Sequence, residues 1–189
     1  MNKRFIVGIS GASGAIYGVR LLEALRAFDE IELHLIISKA ASYIFENELG
    51  ASALDKAQGL AHRCYDNDVL AAPIASGSFR TEGMIIAPCS VKTLAAIAHG
   101  YGDTLMMRAA DVVLKERRKL VLVVRETPLH LEHIENMARV TRMGGVILPP
   151  VPAFYHKPRT IDDIVNHTVG KVLDLFNLSH FLYERWGGG

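Results

Sequence analysis

Cysteine is nearly absent from this chain: Cys64 and Cys89 are the whole complement in 189 residues. There is no CxxC pair and no histidine cluster at metal-ligand spacing, so neither a disulfide framework nor a structural zinc site is indicated. Net charge is nearly absent too. Lys and Arg number 21 against 20 Asp and Glu, leaving +1, which points to neither nucleic acid nor an anionic membrane as partner. No apolar run approaches the ~20 residues of a membrane span. The opening "MNKR" is basic, but the apolar stretch behind it is short and meets Ser10 and Gly11, so it reads as a first strand and not as a signal peptide. With no contrary signal, the expected location is cytoplasmic. Internal repeats and low-complexity linkers are also missing.

Apolar residues, by contrast, make up half of the chain, enough for one α/β domain over residues 1–189 with a sizeable core. Strand-like runs at 4–10, 31–38, 83–88, 120–125 and 146–148 alternate with helical patterns at 15–27, 39–49, 91–98, 104–117, 131–143 and 161–176. "MIIAP", "LVLVV" and "VIL" are almost continuously apolar, as parallel strands covered on both faces require. "TIDDI" opens the last helix with a threonine cap and an acidic first turn. The stretch 66–81 is expected to hold an extra short strand. Strand–helix alternation predicts right-handed βαβ units and a doubly wound, mostly parallel sheet in three layers, of Rossmann or flavodoxin-like type. Ligands of such sheets sit beyond the carboxyl ends of the strands, which directs attention to residues 10–14, 38–39, 88–93, 125–127 and 149–155.

The first of these turns, "GISGASGAIYG" (8–18), raises the question of whose phosphate it serves. A nicotinamide dinucleotide calls for G-x-G-x-x-G and an acidic residue at the end of the second strand. Here the glycines fall at 8, 11 and 14, and Ser38 stands where the acid is needed, so that motif fails twice. The turn still offers helix-start amides and the hydroxyls of Ser10 and Ser13 to an anion. Gly11 and Gly14 serve equally well in a turn that is merely tight. "APCSVKT" (87–93) adds Ser90, Lys92 and Thr93, which fit either a phosphate contact or a well-capped helix. Cys89 reads as a buried, inert thiol, with no histidine nearby in sequence to activate it. Arg108, Asp111, Lys115 and Arg118 share one helix face; Arg118 and Asp111 are expected in a solvated, ion-paired stripe. Arg125 and Glu126 follow an apolar strand at its carboxyl end, where a charge needs a partner: a ligand, or each other in a pair that locks the loop. The proline-rich "ILPPVPAFYHKP" (147–158) stiffly presents Phe154, Tyr155 and His156, the last read as exposed.

Taken together, "GISGASGAIYG", "ISKAA", "ASGSF", "PCSVKT", "RAADVVLKERRKLVLVVRETPLH", "HLEHIENM", "PPVPAFYH" and the closing "RW" resemble the flavin prenyltransferase (UbiX/Pad) family, in order and over nearly the whole chain. Only residues 50–66 and the extreme C-terminus diverge. The resemblance implies a flavodoxin-like, FMN-binding enzyme that works without a metal. It joins a dimethylallyl group from dimethylallyl phosphate to N5 and C6 of reduced FMN and makes the prenylated cofactor of UbiD-type decarboxylases, among them that of ubiquinone biosynthesis. By the same resemblance Gly11, Ala12, Ser13, Ser38, Ser90, Val91, Lys92, Thr93 and Arg125 contact FMN, with Ser13 close to N5. Lys115, Tyr155 and Lys171 hold the dimethylallyl phosphate, and Arg108 and Trp186 lie near it. Glu48 and Glu126 match active-site carboxylates, Glu126 being the candidate acceptor for the C6 proton. Lys171 is arginine in some relatives, so the charge is kept and the bidentate fork lost. Leu70 departs from the aromatic residue that some relatives set against the prenyl group. The family also implies a homo-oligomer, often a dodecamer, with residues from about 160 to 189 at subunit interfaces. The closing "GGG" (187–189) is given no role.

The residue types suit that chemistry. Lys115, Arg125 and Lys171 are placed to stabilise charge developing on a departing phosphate, and Tyr155 and Trp186 to face an allyl cation. Two alternatives stand beside it: an FMN-dependent decarboxylase of the cysteine-decarboxylase type, and a non-catalytic FMN-binding protein. Against the first, "PCSVKT" and "PPVPAFYH" replace that group's "PASANT" and "PxMNxxM" segments; against the second, a carrier needs no second phosphate site.

Overall fold

Strands rich in Ile, Leu and Val bury both of their faces only when helices cover each side of the sheet, and this requirement organises the computed structural model, which describes residues 3–187. The chain divides into two compact units, one ending at Pro149 and one beginning at Pro150. The first unit is built on a six-stranded sheet in the order β3-β2-β1-β4-β5-β6. Its strands are β1 (Lys3–Ile9), β2 (Ile31–Ile37), β3 (Arg63–Asp66), β4 (Gly83–Cys89), β5 (Lys119–Val124) and β6 (Val146–Ile147), and every pairing is parallel. Helices α1 (Ala15–Arg26), α2 (Lys39–Leu49), α3 (Ala53–Leu60), α4 (Val91–Ala98), α5 (Leu105–Lys115) and α6 (Leu131–Arg142) connect them.

Alternation along the strands sorts the core into two layers. Ile6, Ile36, Met84, Ile86, Leu120 and Leu122 cluster with Leu94 and Ile97 of α4, Leu105 and Val113 of α5 and Val140 of α6. Their neighbours Phe5, Val7, Ile9, Leu35, Ile85 and Val121 are buried as well, and α1 lies against that side, with Gly18 beside Ile9 and the Ala87 carbonyl. Each such side chain contributes roughly 1.5–3 kcal/mol on burial. The winding reverses between β1 and β4, which opens a crevice at their carboxyl ends.

The expected strands and helices are present, with ends shifted by one or two residues. The extra strand is not within 66–81 as expected. It is β3, which ends on the first residue of that stretch, at the sheet edge and largely exposed, so backbone pairing with β2 holds it rather than an apolar run. The stretch itself turns: Asp66 Oδ1 accepts from the Asp68 amide, and Pro73–Ala75 forms a 3-10 turn around buried Ile74. Helix α3, not anticipated from sequence, precedes β3. Arg118 does not belong to a solvated stripe either: its guanidinium donates to the carbonyls of Gly77 (2.7 Å) and Phe79 (2.8 Å) and fixes that loop.

The second unit carries α7 (Ile161–Leu175), which opens with the anticipated cap. The Asp163 amide donates to Thr160 Oγ1 (3.1 Å), and the Thr160 amide donates back to Asp163 Oδ2 (2.9 Å). Among the described residues no helix is long and apolar enough to cross a membrane.

Ser10 joins the two strands that flank the crevice. Its buried hydroxyl donates to the Pro88 carbonyl (2.9 Å) and accepts from the Ser90 amide (2.7 Å), so it is not free for a ligand as the sequence suggested. Ser10→Ala leaves both groups without that partner, and a loss of about 2 kcal/mol is expected in urea unfolding, with an unchanged slope.

Candidate active site

The turn after β1 brings the chain into α1 through Gly14, whose φ of +100° suits a residue without a side chain. Gly11 is needed for a different reason: a β-carbon there would lie 2.4 Å from that of Ala40, so the turn and α2 are too close for one. Helix α1 has no cap from its own N-cap residue. Glu48, near the end of α2, supplies it. The Gly14 amide donates to Oε2 (2.8 Å) and Oε1 (3.1 Å) of Glu48, and the Ala15 amide donates to Oε2 (2.9 Å). Burial pushes the Glu48 carboxyl up, but the Ser13 hydroxyl, these two amides and the Arg125 charge outweigh it and lower the net value. An ionised carboxylate therefore occupies the first amides of α1, and an incoming anion must use others.

Those others surround a cleft of about 330 Å³ at the carboxyl edge of the sheet. Gly11 and Ala12 form one side. Ser38 and Ala40, at the start of α2, and Ser90, Val91, Lys92 and Thr93, at the start of α4, form the next. Ser38 Oγ accepts from the Ala41 amide (3.2 Å), while Ser90 Oγ accepts from the Thr93 amide (3.3 Å) and donates to Thr93 Oγ1 (3.1 Å). The two serines are thus helix caps and cleft walls together, so the two sequence readings of Ser90 do not compete. Arg125 and Glu126 close the far side. They are not locked to each other: Glu126 Oε1 accepts from the Thr127 amide (3.0 Å), and the buried Arg125 Nε has no hydrogen-bond partner among the described residues. Helix N-termini, an arginine nitrogen without a partner and an apolar wall that includes Met106 and Met107 suit a phosphate monoester carrying a flat ring, and FMN fits that description.

Five wall residues escaped the sequence reading: Ala40, Asn67, Thr104, Met106 and Met107. Asn67 caps α5 from the loop after β3, its carbonyl accepting from the Leu105 amide (2.7 Å) and its Oδ1 from the Met106 amide (3.0 Å). "YDND" signals a turn in the sequence but carries no hint of a partner some forty residues on.

Other expected residues lie apart from this cleft. Arg108 pairs with Asp111 (2.7 Å) on α5. Lys115 ends α5 and meets Glu116, beside Gly77. It precedes β5, whereas Arg125 follows that six-residue strand, roughly 20 Å further on. Leu70 is exposed in the loop after β3. Cys89 is fully buried and its thiol is pushed up by burial, as an inert residue requires. Among the described residues no group of three or more His, Cys, Asp and Glu is placed to hold a metal.

Tyr155, Lys171 and Trp186 belong to the second unit. Tyr155 Oη lies 3.1 Å from His167 Nε2, and its ring meets that of Trp186 edge-on at 6.0 Å. His156 is not exposed as the sequence suggested: it stacks on His167 (4.9 Å), and both its ring nitrogens are buried without a partner among the described residues.

A doubly wound sheet whose crevice combines free helix-start amides with an arginine and an apolar wall defines a mononucleotide-binding α/β protein. The flavoprotein family model matches residues 1–173. The flavin prenyltransferase UbiX of Escherichia coli K12 is 57% identical over 188 residues, covering 98% of this chain and 99% of that protein. Among solved structures, a UbiX protein in complex with FMN and dimethylallyl pyrophosphate has a TM-score of 0.97 at 48% identity, over 100% of both chains. A dodecameric FMN-dependent UbiX-like decarboxylase from Escherichia coli O157:H7 has a TM-score of 0.95 at 54% identity, over 98% of this chain and 100% of that one. The chain belongs to the flavin prenyltransferase family of flavoproteins.

Glu48→Ala leaves the α1 amides uncapped and is expected to cost about 1 kcal/mol in thermal unfolding at neutral pH. Because the folded-state value is the lowered one, this contribution is fully present above the ordinary carboxylate range and is lost below it, as pH falls through the lowered folded-state value. The difference between wild type and variant therefore narrows in acid.

Proposed function

We propose that this protein transfers the dimethylallyl group of dimethylallyl phosphate to N5 and C6 of reduced FMN, releasing phosphate without a metal. What carries the reading is 57% identity over 188 residues with a flavin prenyltransferase, together with the cleft; the cationic residues Lys115, Arg125 and Lys171 add charges that a simple flavin carrier does not need.

In this scheme the allylic C–O bond breaks with its electron pair leaving on phosphate, where Lys115, Arg125 and Lys171 offset the growing charge. N5 gives up its proton as the N–C bond forms. Ring closure joins C6 to the prenyl chain: the C6 proton leaves to Glu126, alone or with the departing phosphate, while the former double bond gains one, so the flavin gains C5H8 in all. Gly11, Ala12, Ser13, Ser38, residues 90–93 and Arg125 hold the flavin; Arg108, Lys115, Tyr155, Lys171 and Trp186 serve the donor. The separation of Lys115 from Arg125 along β5 favours a site completed by a second copy, in a homo-oligomer such as the dodecamer of the Escherichia coli O157:H7 relative. The product goes to a UbiD-type decarboxylase, and the work is done in the cytoplasm.

Anaerobic incubation with reduced FMN and dimethylallyl monophosphate is expected to yield a flavin heavier by one C5H8 unit on mass analysis. FMN that is bound yet unmodified, with the diphosphate donor as well, would sink the reading. Lys115→Ala and Arg125→Ala are each expected to be inactive, and mixing the two after dissociation and reassembly is expected to recover part of the activity. A mixture no more active than its components would place both residues in one subunit's site.

A further inference from the structure

Residues 180–186 contain no helix or strand, yet their side chains converge on one carboxylate. Arg185 Nη2 donates to Asp174 Oδ1 (2.6 Å) and Nη1 to Oδ2 (3.3 Å), the Tyr183 hydroxyl donates to Oδ2 (2.6 Å), and His180 Nε2 lies 3.1 Å from Oδ1. Asp174 sits on α7, one turn beyond Lys171, whose Nζ is 3.8 Å from Oδ2. The helix is shaped to receive the segment. A β-carbon at Gly170 would lie 2.6 Å from the Tyr183 ring and 2.7 Å from that of His180. Beyond the tie, Trp186 packs edge-on against Tyr155, which reaches His167, one turn before Lys171 on the same helix.

We propose that Asp174 is a positioning residue: it ties the segment bearing Trp186 to the helix bearing Lys171, so that Tyr155, Lys171 and Trp186 stand as one preformed half of the donor site. This rests on the prenyl-transfer reading above. Isolated surface ion pairs contribute little, but three donors on one partly buried carboxylate form a network with a bidentate arginine at its centre. Because those donors already satisfy both oxygens, Lys171 is left at the margin, free to turn to a phosphate. Burial pushes the Asp174 carboxyl up, yet Arg185, Tyr183 and His180 outweigh it and hold it well below the usual carboxylate range, while burial and Asp174 push Tyr183 up to about 12. The tie therefore persists across neutral pH.

Trp186 is the only tryptophan, so intrinsic emission reports on this segment alone. Asp174→Asn and Arg185→Gln are compared with wild type at equal FMN occupancy. Trp186 is already 73% exposed, so its mobility and not its burial is read: both variants are expected to show lower emission anisotropy, with KM for dimethylallyl monophosphate raised about tenfold and FMN affinity unchanged. Should Asp174→Asn fail to fold, Arg185→Gln, which alters an exposed side chain, carries the test. Variants that match wild type in anisotropy, or that differ in anisotropy but not in KM, overturn the proposal. A wild-type protein that transfers no prenyl group overturns the functional reading, and this proposal with it.

Discussion

Parallel pairing imposes the constraint on which the rest of the structure depends. The strands of the sheet all end at the same edge, so the helices that directly follow β1, β2 and β4 begin there, with their unsatisfied amides and the positive ends of their dipoles. Helices α1, α2 and α4 start around one crevice in this way, and α5, which follows α4, brings its own start to the same cleft. The Ser10 hydroxyl sets how closely β1 and β4 approach at that edge, by holding the Pro88 carbonyl and the Ser90 amide together. The anion site is a consequence of topology before any side chain refines it.

Side chains then decide which helix starts remain available. Glu48 occupies the first amides of α1, and Asn67 occupies those of α5. Ser38 and Ser90 cap α2 and α4 at their third residues and still line the cleft. The Arg125 guanidinium adds a full charge, with one buried nitrogen left without a partner among the described residues. A carboxylate inside a cationic crevice is no contradiction. Glu48 neutralises one end and accepts from the Ser13 hydroxyl, and the Arg125 side is the one we propose for phosphate.

The proposed donor half is assembled by different means. Tyr155, Lys171 and Trp186 are gathered by aromatic contacts and by the Asp174 network. Lys115 is held by neither device. It sits at the amino end of β5, where Arg118 pins the 77–79 loop beside it, and this separation is the physical ground for inferring that copies of the chain share a site.

Local pattern alone determined the central strands and most helices of this protein, because a doubly covered parallel strand must be almost entirely apolar and a helix start advertises its cap. The turns at 11–14, 38 and 90–93, and Arg125 at a strand end, were legible for the same reason: each is a short-range feature set by its neighbours in sequence. Tertiary structure alone decided the rest. Edge strand β3 is held by backbone pairing that leaves no apolar signature, and Asn67 caps a helix some forty residues away. Arg118 looked like a solvated side chain until the 77–79 loop folded onto it, and His156 looked exposed until His167 stacked on it. Hydrogen bonds and ring contacts act over a few ångströms whatever the distance along the chain, and only folding brings such partners within reach.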